Sequence, residues 1–251
     1  MNEKQKREMA SLTKIMTAYT VLSISSRLHI DLEKEEVTVS KGASRIGGTK
    51  ANIKEGDTFK ANDLLYGLML PSGNDVGQCF CEHFGLILAE ESGQPTSSLM
   101  VGRKYFVYEM NKNAKALEMT NTRYDNPTGL GDIFNKSTAE DIGKLCTTAM
   151  KLPKFREVVS CKEYSCVGRT ACGLERRYSW KNSQKLLHKG YNGIKTGDTP
   201  NAGPCIASSI EIDGHFMIII LLRAKSLLAK WEETEALKDW IIKELNIRKS
   251  K

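Results

Sequence analysis

Two apolar runs joined by a two-residue turn constrain the fold of this chain most. Cys205-Ile206-Ala207-Ser208-Ser209-Ile210-Glu211-Ile212 and His215 to Leu222 are both of strand length, and Asp213-Gly214 between them is a pair that tight hairpins favour. An antiparallel sheet near the C-terminus follows. The run Phe216 to Leu222 is continuously apolar rather than alternating, which predicts a strand covered on both faces. Upstream the period changes. Leu12, Ile15, Met16, Tyr19 and Leu22 recur at helical steps, predicting a helix that buries one side. Asn62 to Leu70 is apolar on most sides and stops at Pro71, a further helix runs through Val76, Phe80 and Phe84, and Leu99 to Leu117 again has helical spacing. Ser137-Thr138-Ala139-Glu140 fits a capping box that opens a helix to about Met150. Val37 to Ser40 reads as a short strand, and Cys161 to Tyr178 as short strand-like pieces and turns. A last helix, Trp231 to Leu245, offers Leu237, Trp240, Ile241 and Leu245 to the sheet. Helices in the middle and an antiparallel sheet flanked by helices make the layout α+β.

Composition narrows the function classes. A chain of 251 residues, 40% of them hydrophobic, can bury a sizeable core. The net charge of +7 comes from scattered lysines, with only short clusters such as Arg176-Arg177 and Arg248-Lys249-Ser250-Lys251, so no nucleic-acid partner is expected. Seven cysteines without a C-x-x-C pair argue against a zinc ribbon, and Cys79-Phe80-Cys81-Glu82-His83 lies in an apolar helical stretch where cysteines serve as small hydrophobes; neither a metal nor a cofactor is expected. Free thiols in this number favour a reducing compartment. The charged start Met1 to Glu8 has no signal-peptide pattern behind it, and the run Phe216 to Leu222 is too short to span a bilayer, so an intracellular chain without a membrane segment is expected.

Three short motifs carry chemistry. In Ser11-Leu12-Thr13-Lys14 the hydroxyl and the amine share one helical face, and a lysine that loses its proton through burial and the helix dipole can activate a serine. Alone, the pair reads first as an N-capping serine and a solvated lysine. Ser72-Gly73-Asn74 sits in the turn after Pro71, either capping the next helix or pointing both side chains into a cleft. Lys195-Thr196-Gly197 lies on a strand approaching a sheet edge.

S-x-x-K, S-x-N and K-T-G, each occurring once and in this order, form the motif set of penicillin-binding proteins and serine β-lactamases. With Ala10 to Tyr19, Pro71 to Asp75, Pro127-Thr128-Gly129-Leu130, Trp180-Lys181-Asn182-Ser183 and Gly193 to Gly197, the chain resembles the low-molecular-mass penicillin-binding proteins that act as D-alanyl-D-alanine carboxypeptidases. The resemblance implies a β-lactamase/transpeptidase-like fold in a single domain, with a helical lobe at about 28–150 and the sheet and C-terminal helix at about 151–251 packing with the helix at 10–25. It also implies Ser11 as nucleophile toward a D-alanyl-D-alanine peptide or a β-lactam, Lys14 as base, Ser72 and Asn74 lining the cleft, Lys195, Thr196 and Lys230 receiving the substrate carboxylate, and Gly197 letting the substrate lie against the strand edge. The backbone N–H groups of Ser11 and Asp198 would form the oxyanion hole. No glutamate stands out for deacylation, since Glu140 falls to the capping box, and this favours a carboxypeptidase over a β-lactamase. Relatives are typically exported and carry two strands and a helix before S-x-x-K. Only ten residues precede Ser11 here, so a sheet edge that a protein partner completes is a further expectation, and a retired fold acting as an interaction subunit is the alternative function.

Overall fold

The computed structural model describes residues 2–96, 98–131 and 134–245. A short strand β1 (Arg7–Glu8) leads through a 3-10 turn at Ala10–Leu12 into α1 (Thr13–Leu28). Helix α1 is the axis of the molecule. Its apolar positions Ile15, Met16, Val21 and Ile24 are buried, and so are Thr13, Lys14, Thr17 and Thr20 between them. The helix is therefore enclosed on nearly all sides through its first three turns, more than the one-sided pattern of its sequence indicates.

The chain then makes β2 (Glu36–Thr38), α2 (Lys41–Arg45), β3 (Thr58–Lys60), α3 (Ala61–Met69), α4 (Asn74–Glu91) and α5 (Leu99–Ala116). After β4 (Lys136–Ser137), which pairs with β1, come α6 (Ala139–Ala149) and α7 (Pro153–Ser160). The cap of α6 is one residue later than the capping box requires. The Thr138 hydroxyl accepts from the Asp141 N–H, while the Glu140 N–H goes to the Glu3 carbonyl.

Strands β5 (Glu163–Arg169) and β6 (Glu175–Lys181) form one long hairpin. It joins β2 and β3 in a four-stranded sheet through Thr58 opposite Arg169, so the stretch 151–251 divides between two sheets. Buried Asp57 fixes this hairpin, accepting from Arg176 at 2.7 Å and from the Tyr178 hydroxyl at 2.5 Å.

After a 3-10 turn at Lys185–Lys189, β7 (Ile194–Gly197), β8 (Cys205–Ile212) and β9 (His215–Leu221) form an antiparallel meander, and α8 (Ala229–Glu244) follows. Asp213 and Gly214 both take positive φ, 50° and 76°, as the tight hairpin turn requires. One face of the meander joins the main core around α1, and the other carries Ile206, Ile210 and Met217 against Leu186, Tyr191 and Ile242 of α8. Strand β9 packs on both faces as expected, with Ile218, Ile220 and Leu222 against the main core and Met217 and Leu221 against the second cluster, and only its first residues, His215 and Phe216, are exposed. One expectation needs correction here. Helix α8 meets the sheet through Trp231, Ile241 and Ile242 rather than Trp240 and Leu245, which are 58% and 59% exposed. The apolar stripe of this helix is broken by charges, so its sequence leaves the contact face undetermined.

Candidate active site

Ser11 sits in the 3-10 turn at the mouth of α1, and Lys14 lies one turn further in with no exposed surface. The Lys14 Nζ lies 2.9 Å from Ser11 Oγ, 2.6 Å from Asn74 Oδ1 and 3.0 Å from the Thr128 carbonyl oxygen. Burial first, and the neighbouring Lys195 charge second, hold its pKa well below the ordinary lysine value, while Asp75 opposes them. The amine is thus biased toward its neutral form, which has two hydrogens and one lone pair. Asn74 Oδ1 and the Thr128 carbonyl can only accept, so they take the two hydrogens. The lone pair is left for the Ser11 hydroxyl, which then donates to Lys14.

The 126–131 loop is shaped to deliver that Thr128 carbonyl. Asn126 Oδ1 gathers the backbone N–H groups of Thr128 at 3.0 Å and Gly129 at 2.7 Å, and Thr17 Oγ1 donates to the Pro127 carbonyl at 2.6 Å. Gly129 has φ 78°, and a Cβ there would fall 1.9 Å from the Ala10 carbonyl oxygen, so only glycine permits the approach.

The turn after Pro71 is not a capping turn. Gly73 occupies the N-cap of α4 and no side chain caps the helix. Asn74 instead bridges two partners, accepting from Lys14 and donating to the Gly47 carbonyl at 2.8 Å. Ser72 has φ 65°, and its hydroxyl is buried without a hydrogen-bond partner among the described residues. Asp75 ties the corner down, accepting from the N–H groups of Ala51 at 2.9 Å, Val76 at 3.0 Å and Ile53 at 3.3 Å. Its carboxyl is raised above the usual range by burial, against these hydrogen bonds.

Strand β7 forms the opposite wall. A Cβ on Gly197 would come within 2.8 Å of the Ser11 nitrogen, so the strand lies directly against the turn that carries Ser11. Lys195 is buried beneath this wall and donates to the Thr196 carbonyl at 3.0 Å; burial, with the Lys230 charge, brings its pKa down to about 7. Thr196 Oγ1 points the other way and shares a 3.1 Å hydrogen bond with Ser183 Oγ. Lys230, in the first turn of α8, is buried with its Nζ 4.9 Å from the centre of the Trp231 ring.

Ser11, Ser72, Asn74, Thr196, Gly197, Asp198 and Lys230 all line one cleft of about 320 Å³, and Lys14 and Lys195 lie under it. Nine positions expected to act together are thus brought together by elements that begin 219 residues apart in sequence, 11 to 230. Ser183, Thr49 and Leu130 also line it. Ser183 is the site residue that motif reading passed over. Its only sequence signal is its place in Trp180-Lys181-Asn182-Ser183. Glu140 is not among the cleft residues. Cys79 and Cys81 are buried in α4, His83 is 2.6 Å from Glu35, and no group of three His, Cys, Asp or Glu among the described residues could hold a metal.

Residues 1–226 match the family model described as D-alanyl-D-alanine carboxypeptidase, peptidase S11. The chain belongs to that family. The D-alanyl-D-alanine carboxypeptidase of Streptomyces sp. strain K15 is 34% identical over 240 residues, covering 93% of this chain and 77% of the relative. The Bacillus subtilis D-alanyl-D-alanine carboxypeptidase DacF is 27% identical over 212 residues, and this match spans 84% of the chain but only 49% of DacF. The crystal structure of the Streptomyces K15 DD-transpeptidase superposes with a TM-score of 0.86 at 31% identity, over 95% of this chain and 88% of that one. The α+β, transpeptidase-like fold and the serine carboxypeptidase class expected from the motifs agree with membership of this carboxypeptidase family.

Proposed function

We propose that this chain is a serine D-alanyl-D-alanine carboxypeptidase that releases the terminal D-alanine of peptidoglycan stem peptides through an acyl-enzyme on Ser11. Ser11 Oγ attacks the carbonyl between the two D-alanines as Lys14 takes its proton, and the proton is relayed through Ser72 to the departing amine. The C–N bond breaks and water hydrolyses the Ser11 ester. The backbone N–H groups of Ser11 and Asp198 receive the oxyanion, each contributing about 3 kcal/mol in sites of this kind. Asn74 holds the acyl-side amide, and Thr196, Ser183 and Lys230 receive the terminal carboxylate.

The observation that carries this reading is the three-partner setting of Lys14. Two carbonyl acceptors occupy the hydrogens of a desolvated amine and turn its lone pair to Ser11. A fold kept only for interactions would have no need of a fully buried lysine held against a serine. No observation favours that alternative.

β-Lactams mimic the dipeptide and should be trapped at the same serine. Intact-mass spectrometry after incubation with benzylpenicillin should give one stoichiometric adduct, absent from Ser11→Ala. A well-folded protein that forms no adduct at any pH between 6 and 9 overturns the assignment.

A further inference from the structure

Asp198 is the one member of the cleft whose charge opposes the expected substrate. A D-alanyl-D-alanine terminus brings a carboxylate toward Thr196, Ser183 and Lys230, yet Asp198 directly follows Gly197 on the same wall and is exposed to the cleft. Lys230 forms no hydrogen bond or ion pair within 4 Å through its Nζ among the described residues, and the first carboxylate acting on it is Asp198. Asp198 therefore competes with any incoming carboxylate for this cation. It also leaves a negative charge beside the bound carboxylate once that carboxylate takes Lys230, and an ammonium on the substrate would meet it.

We propose that Asp198 is a specificity-determining residue that selects leaving groups carrying an ammonium beside their carboxylate, as a diamino acid does, over plain D-alanine. The inference rests on the carboxypeptidase reading and names its preferred substrate class. Such a leaving residue places its carboxylate at Thr196, Ser183 and Lys230 and its ammonium at Asp198, so each charge in this part of the cleft has an opposite. Plain D-alanine pairs Lys230 but leaves Asp198 repelling. The reaction is the same: the amide C–N bond breaks, the Ser11 ester forms, and the released amine leaves with the relayed proton.

Exposed charge pairs contribute up to about 1 kcal/mol, about fivefold in a rate, so we expect about threefold for each substrate and about tenfold in a ratio of two. The first arm compares second-order acylation of wild type and Asp198→Asn by benzylpenicillin and by its methyl ester, read by intact mass. The acid-to-ester ratio should rise about threefold in the variant and converge on the wild-type value in 0.5 M salt. Asparagine keeps the backbone N–H at 198, and any residual effect on the oxyanion hole acts on both compounds and cancels in the ratio. The second arm compares hydrolysis of two peptides differing only in the leaving residue, D-alanine or D-lysine. Wild type should prefer the D-lysine peptide, and Asp198→Asn should shift that preference about tenfold toward D-alanine. Acylation of Ser11 with both ratios unmoved refutes the selective role of Asp198 and leaves the carboxypeptidase reading intact. Absence of acylation by either β-lactam refutes that reading and this inference together.

Discussion

Lys195 puts a price on the active site that can be measured without substrate. Its ammonium is buried under β7 with one acceptor among the described residues, the Thr196 carbonyl at 3.0 Å, and burial brings its pKa from 10.5 down to about 7. Between these values the unfolded chain binds a proton that the folded chain has released, so stability rises with pH from about 7 to 10.5 and is lowest below 7, where the fold must hold the charged form. Each pH unit in that window adds about 1.4 kcal/mol, and the whole shift amounts to about 5 kcal/mol. Lys195→Met keeps the volume and removes the titration. At pH 7 the variant should be about 4 kcal/mol more stable than wild type, after about 1 kcal/mol for the lost hydrogen bond. That advantage should shrink by about 1.4 kcal/mol per unit as the pH is raised. Urea unfolding of both proteins at pH 7, 8, 9 and 10, with reductant to keep the seven thiols free, gives the difference directly; groups that do not feel Lys195 cancel in it, and Lys14, whose pKa Lys195 lowers, shifts it in the same direction. Penicillin acylation of the variant should fall about a hundredfold, as for loss of a charge-stabilising group. A stability difference that stays flat from pH 7 to 10 would falsify the burial argument, because a solvated lysine gives no such slope.

Three further substitutions, at two positions, test the geometry around Ser11. Lys14→Ala should slow penicillin acylation about a thousandfold, and Lys14→Arg should restore nothing, because a guanidinium does not give up its proton near neutral pH; recovery in the arginine variant, read by intact mass, would exclude the base role. Gly129→Ala should cost at least about 3 kcal/mol in urea unfolding and abolish the adduct, since a methyl cannot occupy that φ against the Ala10 carbonyl without moving the Thr128 oxygen off Lys14.

Much of this molecule is written in short-range signals. The turn at Asp213-Gly214, the break at Pro71, the helical spacing of α1, α4 and α5, and the order of the three motifs all concern neighbours within a few residues, where backbone preference and side-chain period decide. Where two local readings compete, the chain alone does not settle the choice. The hydroxyls and amides of Ser72-Gly73-Asn74 suit a helix cap as well as a cleft, and tertiary contacts settled it: the Gly47 carbonyl and Lys14 take both ends of the Asn74 amide. The contact face of α8 is undetermined in the sequence for a similar reason. Its apolar residues are spread around the helix, and the sheet beneath selected Trp231, Ile241 and Ile242.

The sequence by itself determined which reactive groups this protein has, on which elements, and the α+β order of those elements, because these follow from residue types and spacings along one chain. Tertiary structure alone decided their chemical state. Lys14 is an ordinary lysine in sequence. Its pKa falls and its lone pair is left to Ser11 only where the fold buries it and brings Asn74, 60 residues away, and Thr128, 114 residues away, onto its hydrogens. Desolvation and charge proximity set a pKa, and both depend on what the fold brings within a few ångströms, which spacing along the chain does not encode.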